Sequence, residues 1–315
     1  MKVLVTGAAG FVGSHVARRL VREGCDVCAL VRSGGDLSRI SDVQSQLQLL
    51  YGDVRSPQNL EQSLRSLKPD LCIHLAWYAN PGEYLHAREN VDLIGATVRL
   101  ATMLADLGCH RFVGVGTCFE YATEVGYLSE STPLQPKFLY SAAKAATFMI
   151  LSSLPLGDMT IAWARLFYLF GPQENERRLV PSVIRSLSKG QEANCTLGEQ
   201  IRDFLHVEDV ASALWAIAQS PIVGPVNVGS GSPVSVATLV TAIGEIMGRS
   251  DLIRLGALPY AKGDPPFVCA NTSRLQREAA WRPSFGLFDG LKSAIEWWRA
   301  GAASSSPEPP RSSLV

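Results

Sequence analysis

Thr6-Gly7-Ala8-Ala9-Gly10-Phe11-Val12-Gly13 follows directly on the strand-like run Lys2-Val3-Leu4-Val5 and opens an amphipathic stretch over residues 12–22. The spacing is G-x-x-G-x-x-G. Glycines at such positions permit a tight turn and let backbone N–H groups approach a pyrophosphate, which the positive end of the following helix stabilises. A glycine pattern alone says little. Its place between an N-terminal strand and an amphipathic helix makes it a dinucleotide-binding signature.

Outward from this turn, strand-like apolar runs at 2–6, 26–31, 47–50, 71–75, 111–116 and 159–166 alternate with helical stretches at 12–22, 57–67, 84–107 and 138–154. Strand–helix alternation with continuously apolar strands predicts an α/β fold, a Rossmann-type doubly wound parallel sheet covered on both faces. After Gly171-Pro172 the regularity weakens; a helix at 207–219, a strand at 226–229 and a last helix at 288–299 remain legible. The pattern assigns residues 1–171 and 204–231 to the dinucleotide-binding domain. It assigns 172–203 and 232–302 to a smaller, interleaved C-terminal substrate-binding lobe. Residues 303–315, rich in Ser and Pro, read as a disordered tail.

Composition narrows the class. The 315 residues carry no net charge, with 29 basic and 29 acidic side chains, which argues against a nucleic-acid partner or a polybasic membrane patch. No apolar run is long enough to span a bilayer and no signal peptide precedes the first strand, so a cytoplasmic protein is expected. The seven cysteines are odd in number and scattered. Cys25-Asp26-Val27-Cys28 has C-x-x-C spacing but no second Cys or His pair at zinc-like distance, so no metal is expected.

The chain resembles the extended short-chain dehydrogenases/reductases, the nucleotide-sugar epimerase/dehydratase family, across nearly its whole length. Besides the glycine turn, Gly52-Asp53-Val54, His74-Leu75-Ala76, Asn90-Val91, Phe170-Gly171-Pro172, the run from Arg202 to Val210, Asn227-Val228-Gly229 and Trp281-Arg282-Pro283 occur in the family's order. The resemblance implies a cofactor site of Gly7, Gly10, Phe11, Val12, Gly13, Asp53, Val54, Leu75, Ala76, Asn90, Tyr140, Lys144 and Phe167, to which the end of the second strand adds Arg32. It also implies a homodimer built on the helices around 94–107 and 140–154.

Tyr140-Ser141-Ala142-Ala143-Lys144 places a phenol and an ammonium one helical turn apart, on one face. A free phenol titrates near ~10, too high for acid–base work at neutral pH. A nearby ammonium lowers such a value by roughly one to three pH units. By the resemblance, Lys144 also binds the nicotinamide ribose, and Thr117 orients the reacting oxygen. Tyr140 then exchanges the proton while the nicotinamide exchanges a hydride.

Two departures from the family narrow the reaction. Dehydratases and the related decarboxylase carry a Glu or an acidic pair just after the Thr, where this chain has Cys118 and Phe119; Glu120 stands one place further on. Enzymes preferring NAD end the second strand with an acid, where this chain has Val31 followed by Arg32. A guanidinium on a 2′-phosphate gains roughly 1.5–3 kcal/mol, or about one to two decades in affinity. The sequence therefore predicts NADP(H) over NAD(H), and an NADPH-dependent ketoreductase acting on a nucleotide-linked keto-sugar such as a 4-keto-6-deoxyhexose.

Tyr78, Cys118, Phe119, Tyr168, Leu179, Val180 and Arg202 are the expected substrate contacts, Arg202 reaching the diphosphate by resemblance. Tyr168 replaces an Asn common in the family. Trp77 stands beside Tyr78 as a second wall of the pocket or as core. An NAD-dependent epimerase using the same Thr117, Tyr140 and Lys144 is the alternative. A non-sugar carbonyl reductase and a catalytically silent NADP-binding protein stand behind it.

Overall fold

The computed structural model describes residues 1–304 apart from Lys262. Five parallel strands open the main sheet: β1 (Lys2–Thr6), β2 (Asp26–Val31), β3 (Gln48–Tyr51), β4 (Leu71–His74) and β5 (Arg111–Thr117). Strands Thr160–Leu166 and Gly224–Val228 complete it on the β5 side, in parallel register. From that edge the order is Gly224–Val228, Thr160–Leu166, β5, β4, β1, β2, β3. The chain works outward from β1 in one direction, then returns and works outward in the other. The reversal lies between β1 and β4, and such a crevice is where open α/β sheets take their ligands.

Both faces of the sheet are buried, which is why its strands read as unbroken apolar runs. Val3 and Val5 belong to one core and Leu4 to the opposite one, as the two-residue period of a strand requires. Helices α1 (Phe11–Arg22) and α6 (Val207–Gln219) cover the first face. Helices α2 (Glu61–Leu67), α3 (Glu89–Asp106) and α4 (Leu139–Leu151) cover the second. A third core lies among α5 (Leu179–Ser188), α7 (Val236–Met247) and α9 (Leu287–Ser304). It packs beside a smaller sheet around Ile201–His206, which pairs with Tyr168–Phe170, Phe267–Ala270 and Pro233–Ser235. The short helix α8 (Ser273–Glu278) packs beside Gly224–Val228.

Three boundaries differ from the sequence expectation, each for a local reason. The helix expected over 84–107 begins at Glu89, because the buried Asn90 amide donates to the carbonyls of Tyr84 (2.7 Å) and Ala87 (2.8 Å) and holds that stretch as a turn. The stretch 57–67 splits into a 3-10 turn, Pro57–Leu60, and α2, which stops where Lys68 turns left-handed (φ 47°). The last helix runs on to Ser304, and the rest of the tail expected at 303–315 lies outside the described residues. Among the described residues, no helix is long and apolar enough to cross a membrane.

Candidate active site

The glycine turn lies at the sheet's reversal point. Gly7 has φ +70°, a conformation that side chains rarely adopt, and a Cβ there would stand 2.8 Å from the Ala76 nitrogen. The turn closes with the Gly10 N–H donating to the Gly7 carbonyl at 2.9 Å. A Cβ on Gly13 would lie 2.0 Å from that same carbonyl oxygen. No side chain caps α1 and no acid sits in its first turn, so its N-terminal dipole is left for an anion. A turn with no room for a Cβ at Gly7 or Gly13, beside an uncapped helix start, fits a dinucleotide pyrophosphate. Gly13→Ala is therefore expected to lower NAD(P)H affinity by roughly five- to a hundred-and-fifty-fold, since overpacking of about 1–3 kcal/mol falls directly on the turn. Calorimetric titration of the variant checks this.

Behind the turn a polar line fixes the two segments that meet there. The Thr6 hydroxyl accepts from the N–H groups of Leu75 (3.2 Å) and Ala76 (3.1 Å) and pairs with His74 Nδ1 at 2.9 Å. The other ring nitrogen of His74 pairs with Thr97 at 2.9 Å. Burial pulls the His74 imidazole down to about 3, so the ring is neutral and structural. Leu75 and Ala76 are thus held against Gly7, where the sequence places part of the cofactor wall.

The Gly52 N–H donates to the Val31 carbonyl at 2.9 Å and brings the Gly52-Asp53-Val54 turn to the end of β2. Asp53 is gripped by Arg55 at 2.6 Å, which holds its carboxyl below the usual range; the nearby Arg32 acts in the same direction more weakly. Arg32 is exposed, whereas Val31, in the place of the family's acid, is buried. Val54 and Phe167 are also buried, in apolar cores. Asn90 spends its amide entirely on Tyr84, Ala87 and the Trp77 indole.

α4 brings Tyr140 and Lys144 to the end of β5. The Lys144 amine donates to the Val115 carbonyl at 2.6 Å, two residues before Thr117. Lys144 is buried, and that burial lowers its ammonium to about 7, with Glu120 partly opposing. The Tyr140 N–H donates to the Leu85 carbonyl at 3.0 Å, and its ring meets Tyr84 edge-on at 4.9 Å. Burial pushes the Tyr140 phenol above its ordinary value, with Tyr84 next in effect. The lowering expected from Lys144 is therefore not the dominant effect in this chain. The amine is turned to the Val115 carbonyl, 6.0 Å from the Tyr140 ring centre.

Thr117 ends β5 and starts a 3-10 turn, Cys118–Glu120, its hydroxyl accepting from the Phe119 N–H at 3.3 Å. Glu120 points away from the cleft, into the protein. One carboxylate oxygen accepts from the Thr117 N–H (2.9 Å) and the Trp163 indole (3.1 Å); the other pairs with Arg165 at 2.7 Å. Both ends of the ion pair are almost wholly buried, at 2% and 0% exposure. The Arg165 guanidinium stacks 4.5 Å from the Tyr121 ring, and Tyr121 donates to Asn227 at 2.7 Å.

Of the expected substrate contacts, Phe119, Tyr168 and Arg202 cluster. Phe119 meets Tyr168 edge-on at 6.1 Å, and the Arg202 guanidinium lies 5.3 Å from the Tyr168 ring. Arg202 also pairs with Asp264 at 2.6 Å. Cys118 is buried, its thiol pushed up to about 12 chiefly by that burial. Val180 is buried in the α5–α7–α9 core, with Leu179 half-buried against it. Tyr78 is half-buried and donates to Glu83.

Two charged residues escaped the sequence reading. Arg165 left a trace, a charge inside the otherwise apolar strand Thr160–Leu166. Glu174 left none: it is buried, one carboxylate oxygen makes no hydrogen bond, and burial pushes its carboxyl up to about 8 against the pull of Arg178. Among the described residues, no three His, Cys, Asp or Glu side chains gather as a metal site.

A parallel sheet with a glycine turn at its reversal point, and a Tyr and Lys one helical turn apart beside it, defines a nucleotide-dependent oxidoreductase of the short-chain type. A sequence model of the NAD dependent epimerase/dehydratase family matches residues 3–229. The chain belongs to that family, whose enzymes modify nucleotide sugars. It is similar to the CDP-abequose synthase of Salmonella typhimurium, with 26% identity over 93% of this chain and 97% of that one. The structure of UDP-glucose 4-epimerase from Thermotoga maritima shares the fold, with a TM-score of 0.85 and 23% identity over 96% of this chain and 100% of that one. MoeE5, solved in complex with UDP-glucose and NAD, aligns with a TM-score of 0.80 and 29% identity over 96% of this chain and 100% of that one.

Proposed function

We propose that this protein is an NADPH-dependent ketoreductase of a nucleotide-linked keto-sugar, such as a 4-keto-6-deoxyhexose. One observation carries the reading. The acid nearest Thr117 in sequence, Glu120, is spent on Arg165, and the two intervening positions are a buried thiol and a phenyl ring. Elimination of water or loss of a carboxyl group needs further acid–base equipment beside the Thr. Without it, Thr117, Tyr140 and Lys144 are left to manage one oxygen and one proton.

A nicotinamide dinucleotide held at the Gly7–Gly13 turn would supply the hydride for the carbonyl carbon. The Thr117 hydroxyl orients the carbonyl oxygen, and the Tyr140 phenol gives it the proton. A phenol raised by burial holds its proton at neutral pH, and releasing it depends on the positive charge of Lys144. Lys144 steadies the phenolate left behind, and Arg202 takes the substrate diphosphate. In this reading residues 1–171 and 204–231 carry the dinucleotide, and 172–203 with 232–302 carry the nucleotide sugar. The exposed Met149 and Ile150 on α4 support a homodimer in this reading.

Cofactor choice rests on Arg32 and Val31. The second reading is an NAD-dependent epimerase using the same three residues, favoured by the likeness to MoeE5 with its bound NAD. A panel of nucleotide-linked keto-sugars, assayed with NADPH and NADH, separates the two. Oxidation of NADPH by a keto-sugar, with Arg32→Ala weakening NADPH by about one to two decades and NADH little, supports the ketoreductase. Tightly held NAD with no net oxidation moves the epimerase to first place.

A further inference from the structure

We propose that Trp77 is a positioning residue for Lys144, holding the Lys144 nitrogen at the end of β5 as a charged group under the face of its indole. The nitrogen lies 3.7 Å from the centre of the Trp77 ring, against 5.9 Å for Trp163 and 6.0 Å for Tyr140. An ammonium that close to an indole face is attracted by the negative charge density of the ring, most strongly where water is excluded.

The indole is itself fixed from behind. Its N–H donates to Asn90 at 2.8 Å, and the Asn90 amide is in turn held by the carbonyls of Tyr84 and Ala87. α3 thereby sets the indole plane, and the indole with the Val115 carbonyl sets the amine. This gives the buried Asn90 a role that needs no contact with a ligand. The inference rests on Lys144 being the lysine of the active site, and on nothing about the sugar.

The charge state of Lys144 is contested from several sides. Burial disfavours the ammonium and lowers it to about 7. Glu120, on the turn after β5, favours it, although that carboxylate is shared with Arg165 on the neighbouring strand. His74 on β4 is neutral and Tyr140 on its own helix is protonated, so neither adds a favourable charge. The Val115 carbonyl and the Trp77 face also favour the cation, and both stand directly against the nitrogen.

The test uses the full chain with isotope-labelled lysine, and Lys144→Met to assign the signal. The Lys144 midpoint is followed by nuclear magnetic resonance in wild type, Trp77→Phe and Trp77→Leu. Trp77→Leu is expected to move that midpoint down by about one pH unit, and Trp77→Phe, which keeps an aromatic face, by less than half of that. Equal shifts in the two variants would assign the effect to the lost Asn90 bond and overturn the proposal.

Growing the wild-type protein with fluorinated tryptophan draws charge from the ring face at unchanged shape, and so gives an answer even if Trp77→Leu does not fold. A lowered midpoint there supports the inference; an unmoved one overturns it. Neither measurement uses a sugar, so a wrong substrate leaves the result readable.

Discussion

Tyr140→Phe is expected to lower turnover of the proposed keto-sugar substrate by roughly a hundred- to ten-thousand-fold, the range a positioned general acid contributes. The substitution removes one oxygen and leaves the ring, so the edge-on contact with Tyr84 and the fold of α4 persist. The glycine turn and the Thr6–His74 line do not involve the phenol, so NADPH affinity should stay at the wild-type level. Steady-state oxidation of NADPH, with calorimetric binding alongside, separates these quantities. A fall in kcat with binding intact is the expected pattern. Wild-type turnover in the variant would remove Tyr140 from the chemistry.

The second large effect concerns stability. Glu120→Ala should destabilise the protein by about 3–5 kcal/mol, because it leaves the buried Arg165 guanidinium without its partner. The Thr117 N–H and the Trp163 indole lose their acceptor in the same step. Glu120→Gln keeps an oxygen for those two donors and should fall between the variant and wild type. Replacing Glu120 and Arg165 together by Leu and Met should recover the part of the loss owed to the unpaired guanidinium, while the Thr117 N–H and the Trp163 indole stay without an acceptor. Denaturant midpoints of the four proteins test this, and an Ala variant as stable as wild type would show the pair to be energetically idle.

The main sheet was legible because its strands are buried on both faces and its glycine turn admits few alternatives. The order of the elements in the first half follows from that pattern. The smaller sheet was not legible. Tyr168–Phe170 and Pro233–Ser235 are three residues each, too short to show a period, and they pair with Ile201–His206 across long sequence separations.

At the site, the positions along the chain could be read from the motifs, whereas the direction of each side chain could not. Nothing in Thr117-Cys118-Phe119-Glu120 says that Glu120 turns inward. That depends on an Arg 45 residues later on an adjacent strand. Likewise the lysine pattern gave no sign that an indole would stand over the amine, since Trp77 and Lys144 come from different elements.

The glycine before Thr117 belongs to the same arrangement as Glu120. A Cβ on Gly116 would lie 2.2 Å from the Glu120 carboxylate and 2.3 Å from the Trp163 indole nitrogen. Gly116, Glu120, Trp163 and Arg165 thus form a set in which no member changes comfortably alone. Such a set constrains descent. A lineage that acquired an acid in place of Phe119 would still carry an inward Glu120, and gaining elimination chemistry would require more than one substitution. Any chain that carried all four residues would be bound by the same epistasis.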